Sequence, residues 1–192
     1  MIGSIKKGVF SWTDIEVIKS SFLTKIIGII VFMIFTALGA YVYIPLPFTP
    51  VPITLQTFFV LLSGAVLGAG GGFLSQLGYL MLGSLGLPLF YGGRGGILHL
   101  LGPTGGYLWG FLISAWFTGR LIYGKKINIF TLVIYFFIGI CIIYLAGIIQ
   151  LALFLKENLL TLVYSGLLPF LFPDLLKILL ASWIYSEWRR SK

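Results

Sequence analysis

Long apolar runs, interrupted at short intervals by glycine, proline and small basic clusters, set the pattern of this chain. A polar lead of mixed charge, with Lys6, Lys7, Asp14, Glu16, Lys19 and Lys25, precedes a first run from Ile26 to about Ile44. A second run begins near Thr54, a third covers roughly Phe73 to Leu87, and a fourth runs from about Tyr107 to Phe117. The fifth covers Ile127 to about Leu155, and the sixth follows breaks at Pro169 and Pro173 and ends at Glu187. At ~20 residues per crossing of a bilayer, the pattern predicts an all-α, polytopic membrane protein with about six transmembrane helices. They form one domain, residues 25–192, behind an amino-terminal extension, 1–24, that is either a short amphipathic surface helix or a loose tail.

The interruptions carry as much information as the runs. Ile44-Pro45-Leu46-Pro47-Phe48-Thr49-Pro50-Val51-Pro52-Ile53-Thr54 cannot be helical, because its prolines remove donors and push each preceding residue towards extended geometry. Its tips are nonetheless apolar, so the segment is expected to cap something rather than float in water. Gly64, Gly68 and Gly72 share one helix face suited to close packing. The cluster Gly68-Ala69-Gly70-Gly71-Gly72 lacks the lysine and preceding strand of a phosphate loop, and is expected to be a tight turn. A second irregular stretch, from Gly86 to Tyr107, carries Phe90, Tyr91, Gly93 and Arg94 between paired glycines.

Composition fixes the compartment. With 59% hydrophobic and 9% charged residues and a mean hydropathy of +1.07, too little polar surface exists to clothe a soluble globule. The formal charge of +8 does not signal nucleic acid, since the basic residues are scattered without an aromatic-basic stripe. They follow membrane orientation instead. With the amino terminus inside, the tail through Lys25, the glycine turn, Arg120 to Lys126 and the basic carboxy terminus all fall on the cytoplasmic side. Arg94, Lys156 and Lys177 are the exceptions. All eight prolines then land in the outer half, where only a protein-lined cavity tolerates irregular backbone.

Candidate chemistry is sparse. Arg94, Asp174 and Lys177 are ionisable groups at or near membrane depth, where such groups mark a ligand or pathway. Asp174 and Lys177, three apart, share a face and also have a plainer role as a mutual pair. Pro173 followed by Asp174 reads as a helix start with a carboxylate on its dipole. His99 is isolated among apolar residues and Cys141 is the single cysteine, so no metal cluster, disulfide or nucleophile-base set is expected and no enzyme is implied. A purely structural subunit accounts for the packing glycines but not for the charge trio.

The proline run continued through Thr54-Leu55-Gln56-Thr57, the Gly86 to Gly96 stretch, Gly102-Pro103-Thr104-Gly105-Gly106-Tyr107-Leu108 and Pro173-Asp174-Leu175-Leu176-Lys177 resemble the BioY family. These are biotin-binding membrane subunits, or S components, of energy-coupling-factor (ECF) transporters. The resemblance covers about Ile26 to Trp188. It implies six helices in a prokaryotic plasma membrane, both termini cytoplasmic, an outward pocket capped by the first loop, and capture of biotin, or of another small anionic vitamin, without a cofactor. Carried over by position, Arg94, Asp174 and Lys177 are polar ligand contacts, Tyr43, Gln56, Phe90 and Tyr91 are walls, and Gly93 lets the backbone approach. The chain holds no nucleotide-binding motif, so the resemblance also implies an energising module of two ATPases and a shared transmembrane subunit. Its docking surface is placed on the small-residue face of the first helix, at Ala37 and Ala40.

Overall fold

The computed structural model describes the backbone of residues 12–191 and the side chains of residues 22–191; expectations for residues before 12 lie outside it. Helix α1 (Trp12–Tyr41) runs unbroken out of the amino-terminal extension through the first span. A two-stranded hairpin follows, β1 (Tyr43–Ile44) antiparallel to β2 (Ile53–Thr54), with Tyr43 opposite Thr54 and Ile44 opposite Ile53. The proline-rich segment is the strap between these strands.

Helix α2 (Gln56–Ser84) contains a reversal. Gly68 has φ 78° and ψ 177°, a conformation open to glycine and hostile to a Cβ. A straight helix would separate Gln56 and Tyr79 by about 35 Å at 1.5 Å per residue. Instead Gln56 Nε2 donates to the Tyr79 hydroxyl at 2.6 Å, and Gln76 Nε2 reaches Ser63 Oγ at 3.1 Å. The chain therefore doubles back at Gly68 into antiparallel limbs, 56–67 and 69–84, which are the second and third crossings. The expected turn is confined to Gly68, and residues 69–72 belong to the returning limb. A Cβ on Gly72 would lie 2.7 Å from Gly64 Cα, so the glycine face serves the approach of the two limbs.

After a 3-10 turn (Tyr91–Gly93) and the short α3 (Ile97–Leu101), α4 (Gly105–Ile122) is the central helix, packed along both α2 and α5 (Ile129–Leu155). Asn128 caps α5 by accepting a hydrogen bond from the Thr131 amide at 2.8 Å. Helix α6 (Leu159–Gly166) leads into α7 (Leu168–Arg190), which touches α5 and returns to α2, closing the ring. Two expectations are corrected here. Helix α7 starts at Leu168 with Pro169 in its first turn and Pro173 inside it, so Asp174 is not a partner for the helix dipole. Pro173 removes one backbone bond, and the helix continues because its neighbours hold it.

The second correction concerns Ala37 and Ala40, which are 8% and 0% exposed. The small face of α1 is turned inward against α2: a Cβ on Gly39 would come within 3.1 Å of the Gln56 backbone nitrogen. Small residues here permit helix approach inside the chain and offer no surface to a partner. Beside them Thr36 is fully buried and accepts a hydrogen bond from Gln76 Nε2 at 3.2 Å. The opposite face of α1, with Ile27, Ile30, Ile34 and Leu38, is exposed apolar surface fit for lipid.

The glycine seam yields a paired prediction. Gly72→Leu is expected to lower the melting temperature in detergent, since overpacking costs ~1–3 kcal/mol or more. At Gly70 an added Cβ meets nothing within 4 Å, so Gly70→Ala is expected to hold or raise it, by up to ~0.5–1 kcal/mol.

Candidate functional site

The ends of α2, α4, α5 and α7 converge beneath the two irregular loops and enclose a chamber of about 60 Å³. Four helices supply one wall each: Gln56 and Thr57 from α2, Tyr107, Leu108 and Phe111 from α4, Ile143 and Tyr144 from α5, and Phe170, Asp174 and Lys177 from α7. Val51 to Thr54 form the roof, joined by Phe90, Tyr91, His99 and Thr104.

The roof is latched from outside. The Tyr91 hydroxyl donates to the Pro50 carbonyl at 3.2 Å, tying the second loop to the proline strap. Arg94 Nη1 donates to that same hydroxyl at 2.6 Å while its guanidinium carbon lies 4.7 Å from the Tyr91 ring centroid. Tyr41 donates to the Pro88 carbonyl, joining the end of α1 to the second loop. Beneath the latch, Phe90 is fully buried and packs edge-on to Tyr79 with ring centroids 5.6 Å apart. His99 stacks on Phe90 at 5.1 Å and 23°. Burial holds the His99 imidazole below its ordinary value, and the charge of Arg94 adds to the shift.

The inner end holds a charge pair bonded on all sides. Lys177 Nζ lies 2.7 Å from Asp174 Oδ1, with side-chain exposures of 12% and 5%. It also donates to the Thr54 carbonyl at 2.5 Å and to Thr57 Oγ1 at 3.2 Å. The Thr57 hydroxyl donates to Asp174 Oδ1 at 2.9 Å, and Tyr144 donates to Asp174 Oδ2 at 2.5 Å. Desolvating such a pair costs several kcal/mol per ion, which only this set of short, charge-assisted bonds offsets.

Five of the residues singled out from sequence, Gln56, Phe90, Tyr91, Asp174 and Lys177, line the chamber. Tyr43, Gly93 and Arg94 do not. Tyr43 is 41% exposed and meets Tyr91 from outside, ring centroids 6.1 Å apart. Gly92 and Gly93, with φ of 66° and 72°, turn the loop so that Arg94 leaves it on the solvent side. Sequence alone missed Thr57, Tyr107 and Tyr144, and it set His99 aside as isolated among apolar residues. Thr57 stands one residue from Gln56, and Tyr144 shares α5 with Tyr135 and Gln150; neither signal names a partner. Among the described residues no group of three or more His, Cys, Asp or Glu gathers to hold a metal.

A multi-crossing helical domain with a small roofed chamber, aromatic walls and one neutralised charge pair is a membrane-embedded binding protein for a small ligand. The chain belongs to the BioY family, whose family model matches residues 11–192 and so takes in much of the amino-terminal extension. A relative described as a probable biotin transporter BioY, from Pyrococcus horikoshii, is 44% identical over 146 residues, covering 76% of this chain and 84% of the relative. The biotin transporter BioY of Thermotoga maritima is 42% identical over 154 residues, covering 79% and 89%. Among solved structures, the S-component for biotin from an ECF-type ABC transporter superposes with a TM-score of 0.82 at 28% identity, over 89% of this chain and 93% of that one.

The charge pair makes a stability prediction. Lys177→Met leaves a buried carboxylate unpaired and is expected to cost ~3–5 kcal/mol. Tyr144→Phe removes one bond to a charge and is expected to cost ~1.5–3 kcal/mol. The double variant Asp174→Leu/Lys177→Met is expected to melt above Lys177→Met alone; equal or lower melting would show that the pair stabilises by more than mutual neutralisation.

Proposed function

We propose that this chain is the biotin-binding S component of an ECF-type transporter, capturing biotin at the outer face and handing it to an ATPase-driven partner module. The observation that carries this is the chamber itself: aromatic and aliphatic walls from four helices, with a few polar groups among them, including Thr57, His99, Asp174 and Lys177. Biotin has matching parts, an apolar ring and chain between a ureido group and a carboxylate. The ureido N–H groups suit Asp174, and the carboxylate suits a cation, Arg94 or Lys177. The names of the relatives and of the structural neighbour point to the same ligand.

The proline strap and the Phe90–Tyr91 loop both line the chamber, so their lifting is the route by which a bicyclic vitamin enters. Tyr91, bonded to Pro50 and braced by Arg94, is the latch on that step. Tyr43 and Gly93 flank it from outside. We further propose that both termini are cytoplasmic and the two roof loops external, in line with the distribution of lysine and arginine. Carboxy-terminal reporter fusions active on the outer side would sink this orientation.

Purified protein titrated with a panel of vitamins by tryptophan fluorescence is expected to saturate with biotin, without turnover. Saturation by a different vitamin would reassign the ligand. Asp174→Asn is expected to weaken biotin binding by ~2–5 kcal/mol, roughly thirtyfold or more, whereas Lys156→Ala, an exposed charge at the carboxy-terminal end of α5, changes it little. In vesicles loaded with ATP the protein alone is expected to bind biotin without concentrating it, because energy coupling needs the two ATPases and the shared transmembrane subunit. Uphill accumulation by the lone chain would overturn that dependence.

A further inference from the structure

The two ends of the chamber differ in what they leave free. An ammonium has three N–H donors, and Lys177 already has three protein acceptors, Asp174 Oδ1, Thr57 Oγ1 and the Thr54 carbonyl. Its charge is matched by Asp174 at 2.7 Å. That end is electrically neutral and has no lysine proton to spare for an anion. The carboxylate of Asp174, with about four lone-pair sites, accepts from Thr57, Tyr144 and Lys177 and keeps room for one more donor.

The loop end is the reverse. The His99 ring is held in place by its stack on Phe90 and an edge contact to Tyr91 at 5.3 Å and 61°. Among the described residues nothing hydrogen-bonds its ring nitrogens, so an imidazole on the chamber wall keeps both a donor and an acceptor free. Thr104, 7% exposed, lines the same end. Arg94 pairs with no carboxylate among the described residues, and its charge acts on His99. The cation near the chamber that lacks a carboxylate partner among the described residues is therefore beside the loop, outside the lining and within reach of His99.

We propose that His99 is a ligand-recognising residue: its imidazole N–H, backed by the field of Arg94, takes the carboxylate of the bound ligand, while the free acceptor site on Asp174 takes one N–H group of the ligand. This rests on the biotin-binding function proposed above and resolves, in favour of the loop end, which cationic pole receives the acid. A consequence is proton linkage. Burial and Arg94 depress His99 in the free protein, and an anion against the ring favours the imidazolium. The bound value then exceeds the free one, so affinity rises as pH falls through the bound value, and the gain is complete below the free value. The charge acting on His99 is that of Arg94, and Tyr91 meets its ring; Tyr107 on α4, Tyr144 on α5, and Asp174 and Lys177 on α7 line the same chamber. Of these side-chain types, only histidine has its ordinary value between pH 5.5 and 8.

The test compares biotin with biotin amide, which keeps the ureido ring and lacks the charge, on wild type, His99→Phe and His99→Gln between pH 5.5 and 8. His99→Phe retains a ring to stack on Phe90 and is expected to weaken biotin by roughly tenfold or more, as for a lost bond to a charge, with a smaller loss for the amide. Wild-type affinity for biotin is expected to rise towards acid pH while that for the amide stays flat, and both variants to lose the rise. Equal loss of biotin and amide, or no loss, overturns the assignment. Should the variants fail to fold, the wild-type profile decides: a pH-independent biotin affinity overturns it. Wild type that does not saturate with biotin removes the ligand proposal and this one together, whereas tight binding indifferent to His99 and pH removes this one alone.

Discussion

The buried pair Asp174–Lys177 is the constraint on which the rest of the structure depends. Two ions at this depth persist only if their remaining valences are filled, and the fillers come from three other elements: Thr54 at the end of β2, Thr57 on α2 and Tyr144 on α5. Satisfying the pair therefore pins α7 to α2 and α5 and fixes the base of the roof hairpin. The closed ring of helices and the position of the chamber follow from one electrostatic requirement.

Around that pin the packing is set by small residues. Gly64 and Gly72 bring the limbs of α2 together, and Gly106 and Gly110 let α4 lie against α5, where a Cβ on Gly110 would stand 2.8 Å from Ile143 Cα. Close approach of this kind supplies the van der Waals contact that holds helices together in lipid, where no hydrophobic force acts between them. The loops covering the chamber are tied to each other by the Tyr91 hydrogen bond to Pro50, and the second loop to α1 by the Tyr41 bond to Pro88, weak beside the pair below. Rigidity at the base and looseness at the lid are the division of labour that a capture protein needs.

Much of this was legible in the chain. Apolar runs of spanning length, prolines and glycines between them, and a few ionisable residues determine a helical membrane protein with irregular loops over a cavity, because lipid cannot satisfy open backbone and disfavours bare charge. Asp174 and Lys177 were visible as site residues for that reason, and Gln56, Phe90 and Tyr91 through the resemblance to the BioY family. Residue type at membrane depth is information a sequence carries.

Direction is information it does not carry. Whether Arg94 faces inward depends on the positive φ of Gly92 and Gly93, and in the fold they turn it out onto Tyr91 while His99, in the following helix α3, lines the chamber. Small residues on α1 suit any close neighbour, and the structure gives Ala37 and Ala40 to α2 inside the chain. A proline followed by an acid suits a helix start, yet the contacts of Asp174 with α2 and α5 place it inside a helix that Pro173 does not end. In each case local chemistry allowed several partners, and the choice was made by packing between segments far apart in sequence, which satisfied the buried polar groups and filled the space in only one way.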